Sequence, residues 1–260
     1  MSITTIGDHL IHYEALGRGE PLLFVHGWLG SWRYWWPAMQ ELSSRHRTFA
    51  LDLWGFGDSS KVTHKYSLAA YVEMLEQFLE KLGIARPIVL VGHGLGAAVA
   101  LRFTQNNPQQ VKRLALIALP VTGALINERL TQLDPVTFTQ KVLGKANSLP
   151  ELEPEIRKSD PLAVNNVARE LLAYSFLSDL EESSCPTLLV FGDQDAVVQQ
   201  PTIPSDSLGP ARFLISLEGA NHFPMLEQTA RFNRLLLDFI HADPESDAVA
   251  PKEYWQRRNR

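Results

Sequence analysis

The chain has one cysteine, Cys185, in 260 residues, which excludes an internal disulfide. Cys185 stands beside Pro186 at the start of an apolar run and reads as a small buried hydrophobe rather than a catalytic thiol. Positive charge is in short supply: 24 Lys and Arg face 29 Asp and Glu, for a net charge of −5. With no basic patch interleaved with aromatics, a nucleic-acid partner is not expected. No apolar run is long enough to span a bilayer, and the N-terminal segment Met1 to Asp8 lacks both a basic start and an apolar core. No membrane association and no signal peptide are therefore expected, and the default location is the cytoplasm. His9, His12, His46 and His64 are scattered singles without metal-ligand spacing, so neither a metal nor a cofactor is implied. No internal repeat stands out.

What is present is an ordinary globular composition, 45% hydrophobic and 20% charged, in a chain long enough for one large domain. Short β-rich runs at 10–16, 22–25, 48–53, 88–91, 114–119, 187–191 and 213–217 alternate with helical patterns at 34–43, 68–82, 95–107 and 228–241. Several of the runs are continuously apolar, as in strands of a parallel sheet covered on both faces. Tyr71, Leu75, Phe78, Leu79 and Leu82 recur at three- and four-residue spacing and form one apolar stripe. The alternation predicts an α/β fold, a mostly parallel central sheet of about eight strands flanked by helices. From 121 to 184 helical patterns punctuated by Pro135, Pro150, Pro154 and Pro161 replace the strands. The expected organisation is one core domain over 1–120 and 185–243, a helical cap insertion over 121–184, and a polar C-terminal tail over 244–260.

Inside the core, an apolar strand pattern runs into Gly92-His93-Gly94-Leu95-Gly96-Ala97 and then into a helical pattern. Strand, sharp turn and helix is the layout of a nucleophile elbow, G-x-S-x-G, except that Gly94 stands in the serine's place. The same residues also fit the loose dinucleotide fingerprint G-x-G-x-x-G/A. Against that second reading, the turn follows several strands rather than the first. The next strand pattern also runs into Pro120 with no acidic residue to hold a ribose.

Four other segments favour the elbow. Pro21 to Trp28 is an apolar strand ending in His26-Gly27-Trp28. Asp52, Gly55, Gly57 and Ser59 fall in the pattern D-x-x-G-x-G-x-S. Leu188 to Phe191 is a strand followed by Gly192-Asp193-Gln194-Asp195. Gly219, His222 and Glu227 fall in G-x-x-H-x-x-x-x-E. Together these motifs resemble the α/β-hydrolase superfamily over about residues 8 to 242. The likeness is greatest to its small cap-bearing esterases, C–C-bond hydrolases, lactonases, haloperoxidase-like members and epoxide-hydrolase relatives.

The resemblance implies that His222 is the general base and Asp195 the acid that orients it, with Asp193 as the rival acid. It implies that the backbone amides of Trp28 and Leu95 form an oxyanion hole around Gly94. It further implies a pocket lined by His26, Gly27, His93, Trp32, Trp54, Tyr174 and Phe223, the ring of His26 bracing its loop. Tyr174 and Phe176 are expected on the last cap helix, closing the pocket from above. The crowding of Trp28, Trp32, Trp35, Trp36 and Trp54 suggests an aromatic-lined mouth. The expected ligand is a small or medium apolar ester, lactone or β-diketone, taken by a monomer or homodimer. An epoxide- or haloalkane-type mechanism would need an aspartate at the elbow, and residue 94 is glycine.

Glycine cannot attack a carbonyl. Three arrangements stay open: a serine hydrolase whose nucleophile has been replaced, hydrolysis by a water that the Asp195–His222 pair activates, and a catalytically silent small-molecule binding protein on the same scaffold. The dinucleotide reading stays separate from all three and predicts that NAD raises the melting temperature. The elbow reading predicts no shift, and a thermal scan with and without NAD distinguishes them.

Overall fold

The computed structural model describes residues 2–143, 149–203 and 212–242; the expected tail over 244–260 lies outside the described residues. One sheet of eight strands runs in the order β1-β2-β4-β3-β5-β6-β7-β8. The strands are β1 (Ser2–Ile6), β2 (His9–Leu16), β3 (Glu20–Val25), β4 (His46–Leu51), β5 (Ile88–His93), β6 (Val111–Ile117), β7 (Thr187–Gly192) and β8 (Arg212–Leu217). β2 pairs antiparallel with β1 and with β4, and every pairing from β4 across to β8 is parallel. All residues of β5 and β7 are buried, as the continuous apolar runs require of strands covered on both faces.

The expected stripe forms helix α2 (Leu68–Lys81), with Ser67 capping its first turn through the Ala70 amide and Tyr71, Leu75, Phe78 and Leu79 on the buried side. α2 packs on α3 (Leu95–Asn106), while α1 (Trp36–Leu42) packs on α9 (Thr229–His241). Two local features differ from the sequence pattern. The N-terminal hairpin partner β1 has too weak an alternation to stand out; Gly7, at φ +57°, supplies the two-residue turn that folds it onto β2. The helix expected from 34 divides into a 3₁₀ turn over Trp32–Trp35, capped by Ser31, and α1. Pro37 suits the first turn of α1, where no amide is missed.

Between β6 and β7 the chain forms short helices: α4 (Pro135–Phe138), α5 (Glu153–Lys158), α6 (Pro161–Leu172) and α7 (Leu177–Glu182). Only isolated bridges, Thr122 to Ser175 and Ile126 to Val198, have β geometry among the described residues there. Buried Glu155 on α5 ties this segment to the core, accepting from Ser31 Oγ at 2.7 Å and Arg33 Nε at 3.1 Å. A short helix α8 (Pro224–Glu227) precedes α9. Cys185 is buried and its thiol is pushed up to about 12 by desolvation, which keeps it protonated.

The loop after β4 is organised by Asp52, which is fully buried. Its carboxylate accepts from the Trp32 amide at 2.8 Å, the Asp58 amide at 3.0 Å and His12 Nδ1 at 2.9 Å. The hydrogen bond to Asp52 raises the His12 pKa above the ordinary 6.5, against the opposing effect of burial. The native state thus holds this proton more tightly than the unfolded chain. Its stabilising contribution is complete below the unfolded pKa and is lost as pH rises through the higher folded one. The stability difference between the parent chain and His12→Gln, measured by urea unfolding, is expected to be larger at about pH 5.5 than at about pH 9.

Candidate active site

Gly94 forms the tip between β5 and α3, at φ +53° and ψ −113°. A residue with a Cβ is strained in such a conformation by about 1–3 kcal/mol. The turn is tight for a visible reason. A Cβ on Gly92 would collide with the Gly96 carbonyl, and one on Gly96 with the Val25 carbonyl. The glycines on either side therefore let β3, β5 and α3 close up on one another. A Cβ on Gly94 itself would find two atoms of the Trp28 ring at 3.3 Å and the Gly27 Cα at 3.8 Å. The expected oxyanion loop thus lies directly beside the turn.

The loops after β7 and β8 bring Asp195 and His222 together, although 27 residues separate them, with His222 Nδ1 at 2.8 Å from Asp195 Oδ2. Neither side chain has any exposed surface. The other Asp195 oxygen accepts from the amides of Val197 and Val198 at 2.7 and 3.0 Å. A carboxylate held by donors on both oxygens can only accept, so Nδ1 of His222 carries the proton and Nε2 presents its lone pair. That Nε2 is buried and has no hydrogen-bond partner among the described residues. Asp193, the rival acid, instead accepts from the Gly219 amide at 2.7 Å, in an exposed turn. Glu227 receives the amides of Asn221 and Phe223, on either side of His222, and Asn221 Oδ1 receives the His222 amide at 3.0 Å.

The loop expected to supply an oxyanion hole is fixed by His26. Its Nε2 accepts from the Leu53 amide at 2.9 Å, so the ring proton sits on Nδ1, 2.8 Å from the Gly27 carbonyl. Burial pushes the His26 pKa below the ordinary 6.5, which preserves this neutral form. The Gly27 carbonyl and the Trp28 amide belong to one peptide plane and point in opposite directions. Holding the carbonyl therefore aims the Trp28 N–H the other way. Neither that N–H nor the Leu95 N–H, at the start of α3, donates to another described residue. Two amide donors and the His222 Nε2 are thus without hydrogen-bond partners among the described residues.

His93 has both nitrogens engaged. Nδ1 lies 2.8 Å from the Tyr34 hydroxyl, whose oxygen is 2.6 Å from the Gly27 amide, and Nε2 lies 2.8 Å from the His222 carbonyl. Burial drives the His93 pKa well below 6.5, with the neighbouring His222 adding to the effect, and drives Tyr34 well above 10. Both groups are neutral.

The remaining expected pocket residues divide. Phe223 packs against Tyr34, His93 and His222, with ring centroids 5.7, 5.3 and 5.0 Å apart. Trp32 packs on the His12 ring at 5.9 Å, and Trp54 meets His9 edge-on at 6.1 Å under Lys65. Tyr174 lies between α6 and α7, not on the last helix, and Phe176 is the residue before α7. The two rings stack at 5.2 Å and lie against Arg102 of α3, about two helical turns beyond Leu95. The Arg102 guanidinium lies over both rings, a cation–π arrangement. Tyr34, Asn221 and Glu227 carry positions in the site that patterning missed or left without a role. Only the fixed spacing of Glu227 from His222 was a readable signal. For a cation, the described residues group His12, Asp52 and Asp58 within 4.8 Å, but both Asp52 oxygens are already taken by internal donors.

Residues 20–169 match the family model for the alpha/beta hydrolase fold. Over 256 residues the chain is 28% identical to a dihydrolipoyllysine-residue acetyltransferase component of the acetoin cleaving system of Pseudomonas putida, covering 90% of this chain and 68% of that protein. Among solved structures it resembles a serine-to-alanine mutant of the meta-cleavage product hydrolase CumD of Pseudomonas fluorescens, complexed with acetates. That likeness has a TM-score of 0.77 at 22% identity and covers 92% of this chain and 97% of that one. It also resembles a serine-to-glycine mutant of the N-acyl homoserine lactonase AidH complexed with N-hexanoyl homoserine lactone. There the TM-score is 0.72 at 20% identity, with 92% and 96% covered.

The strained dihedral at residue 94 is itself measurable. Gly94→Ala is expected to lower the unfolding free energy by about 1–3 kcal/mol, read from urea denaturation.

Proposed function

This chain belongs to the α/β-hydrolase fold family, and from that premise we propose that it hydrolyses a small or medium apolar ester or lactone with water as the attacking group. The observation that carries the reading is the buried Nε2 of His222, without a hydrogen-bond partner among the described residues and with its tautomer set by Asp195, on a ring 4.4 Å from that of His93, the residue before Gly94. A water there has polar partners in reach, as a retained water needs. His222 Nε2 takes a proton from this water as its oxygen adds to the substrate carbonyl. The carbonyl oxygen becomes an oxyanion, held by the N–H groups of Trp28 and Leu95. The tetrahedral adduct then collapses. The bond to the leaving oxygen breaks, and His222 returns its proton there, giving an acid and an alcohol. Asp195 stabilises the imidazolium between the two transfers. The segment between β6 and β7 acts as the cap, and Phe223 and the Trp28 ring form the apolar wall at the turn.

A second reading, a site that binds such a ligand without turnover, is favoured by one observation. The AidH mutant with glycine in place of a serine is found complexed with a lactone.

The two readings diverge in one assay. With short p-nitrophenyl esters, His222→Ala is expected to lower turnover by roughly 10²-fold or more. Equal rates for the parent chain and His222→Ala would leave the binding reading. Gly94→Ser, if folded, is expected to gain esterase activity over the glycine form. A folded serine variant with no gain would overturn the assignment of the turn.

A further inference from the structure

We infer that Tyr34 and His93 are positioning residues that fasten the base loop to the oxyanion loop, a role that rests on the hydrolytic reading above. The inference comes from counting donors along one buried chain of hydrogen bonds. The Gly27 N–H can only donate, so at 2.6 Å the Tyr34 oxygen accepts it. The Tyr34 proton is then free to go to His93 Nδ1 at 2.8 Å, which must be the bare nitrogen. The His93 proton therefore sits on Nε2 and is donated to the His222 carbonyl at 2.8 Å. Every donor and acceptor is used once, and the direction of each bond is forced.

The chain crosses four separate segments: the loop after β3, the 3₁₀ turn, the end of β5 and the loop after β8. It begins one residue before the Trp28 amide and ends on the main chain of His222. The His93 and His222 rings lie with centroids 4.4 Å apart, and Gly27 packs so closely on His93 that a Cβ there would lie 3.0 Å from Nδ1. In a triad, the hydroxyl of the turn residue itself hydrogen-bonds the base. Gly94 has nothing to offer, so the side chain of the preceding residue makes the connection between turn and base loop.

Only neutral His93 fits this pattern. A second proton, on Nδ1, would turn the nitrogen that accepts from Tyr34 into a donor and leave the phenol proton without an acceptor. Burial of both groups keeps the pattern intact.

The test has two independent arms. With the parent chain uniformly labelled with nitrogen-15, NMR is expected to show the proton of His93 on Nε2 and that of His222 on Nδ1. A His93 proton on Nδ1 would overturn the inference whatever the activity. Tyr34→Phe, checked for folding by circular dichroism, is expected to lower kcat roughly 10- to 100-fold with KM unchanged, and to shift both the Trp28 amide and the His222 Nδ1–H resonance. Unchanged kcat alongside unmoved resonances would sink the positioning role. If the parent chain has no His222-dependent turnover, the hydrolytic reading fails by itself. The resonances then decide: movement of both the Trp28 amide and the His222 Nδ1–H supports the fastening, and movement of the Trp28 amide alone refutes it.

Discussion

A polar group withdrawn from water must find a partner within the protein, and the site follows from applying that constraint repeatedly. Asp195 is taken out of water and is answered by two amides and the His222 ring. The His222 carbonyl is answered by His93, His93 by Tyr34, and Tyr34 by Gly27. His26 answers the Gly27 carbonyl and is answered in turn by Leu53. Among the groups left without a partner in the described residues are the Nε2 of His222 and the amides of Trp28 and Leu95.

The sheet makes this convergence possible. In an open parallel sheet the loops at the carboxyl ends of neighbouring strands face one another, so residues far apart in the chain share one crevice. β3, β5, β7 and β8 each end in one of the site's loops. The close-packed glycines flanking residue 94 bring α3 down onto β3. The start of α3 is thereby carried against the end of β3, where a Cβ on Gly96 would meet the carbonyls of Val25 and His26.

Much of this was legible in the sequence because the signals are local. Continuous apolar runs marked the parallel strands, and the stripe from Tyr71 to Phe78 marked α2. The spacing of Gly92, Gly94 and Gly96 marked a turn, and Asp195 and His222 stood at their motif positions. Other features depended on geometry that no spacing encodes. Tyr34 read as the start of a helix, and its partnership with His93 spans 59 residues. Tyr174 and Phe176 were placed over the site by chain order, yet their flat faces pack on Arg102. β1 was invisible because Ser2 to Ile6, though one face is partly buried, spells no alternation of apolar and polar residues. His26 was read as a brace for its loop, and the structure adds which peptide it holds.

Gly94 also determines what the site cannot record. A serine at such a turn can carry a fragment of its substrate, or of a phosphonate or carbamate inhibitor, as a covalent memory of the encounter. A glycine turn has no atom on which to write. Reagents that tag members of this fold through their serine find no such oxygen at residue 94.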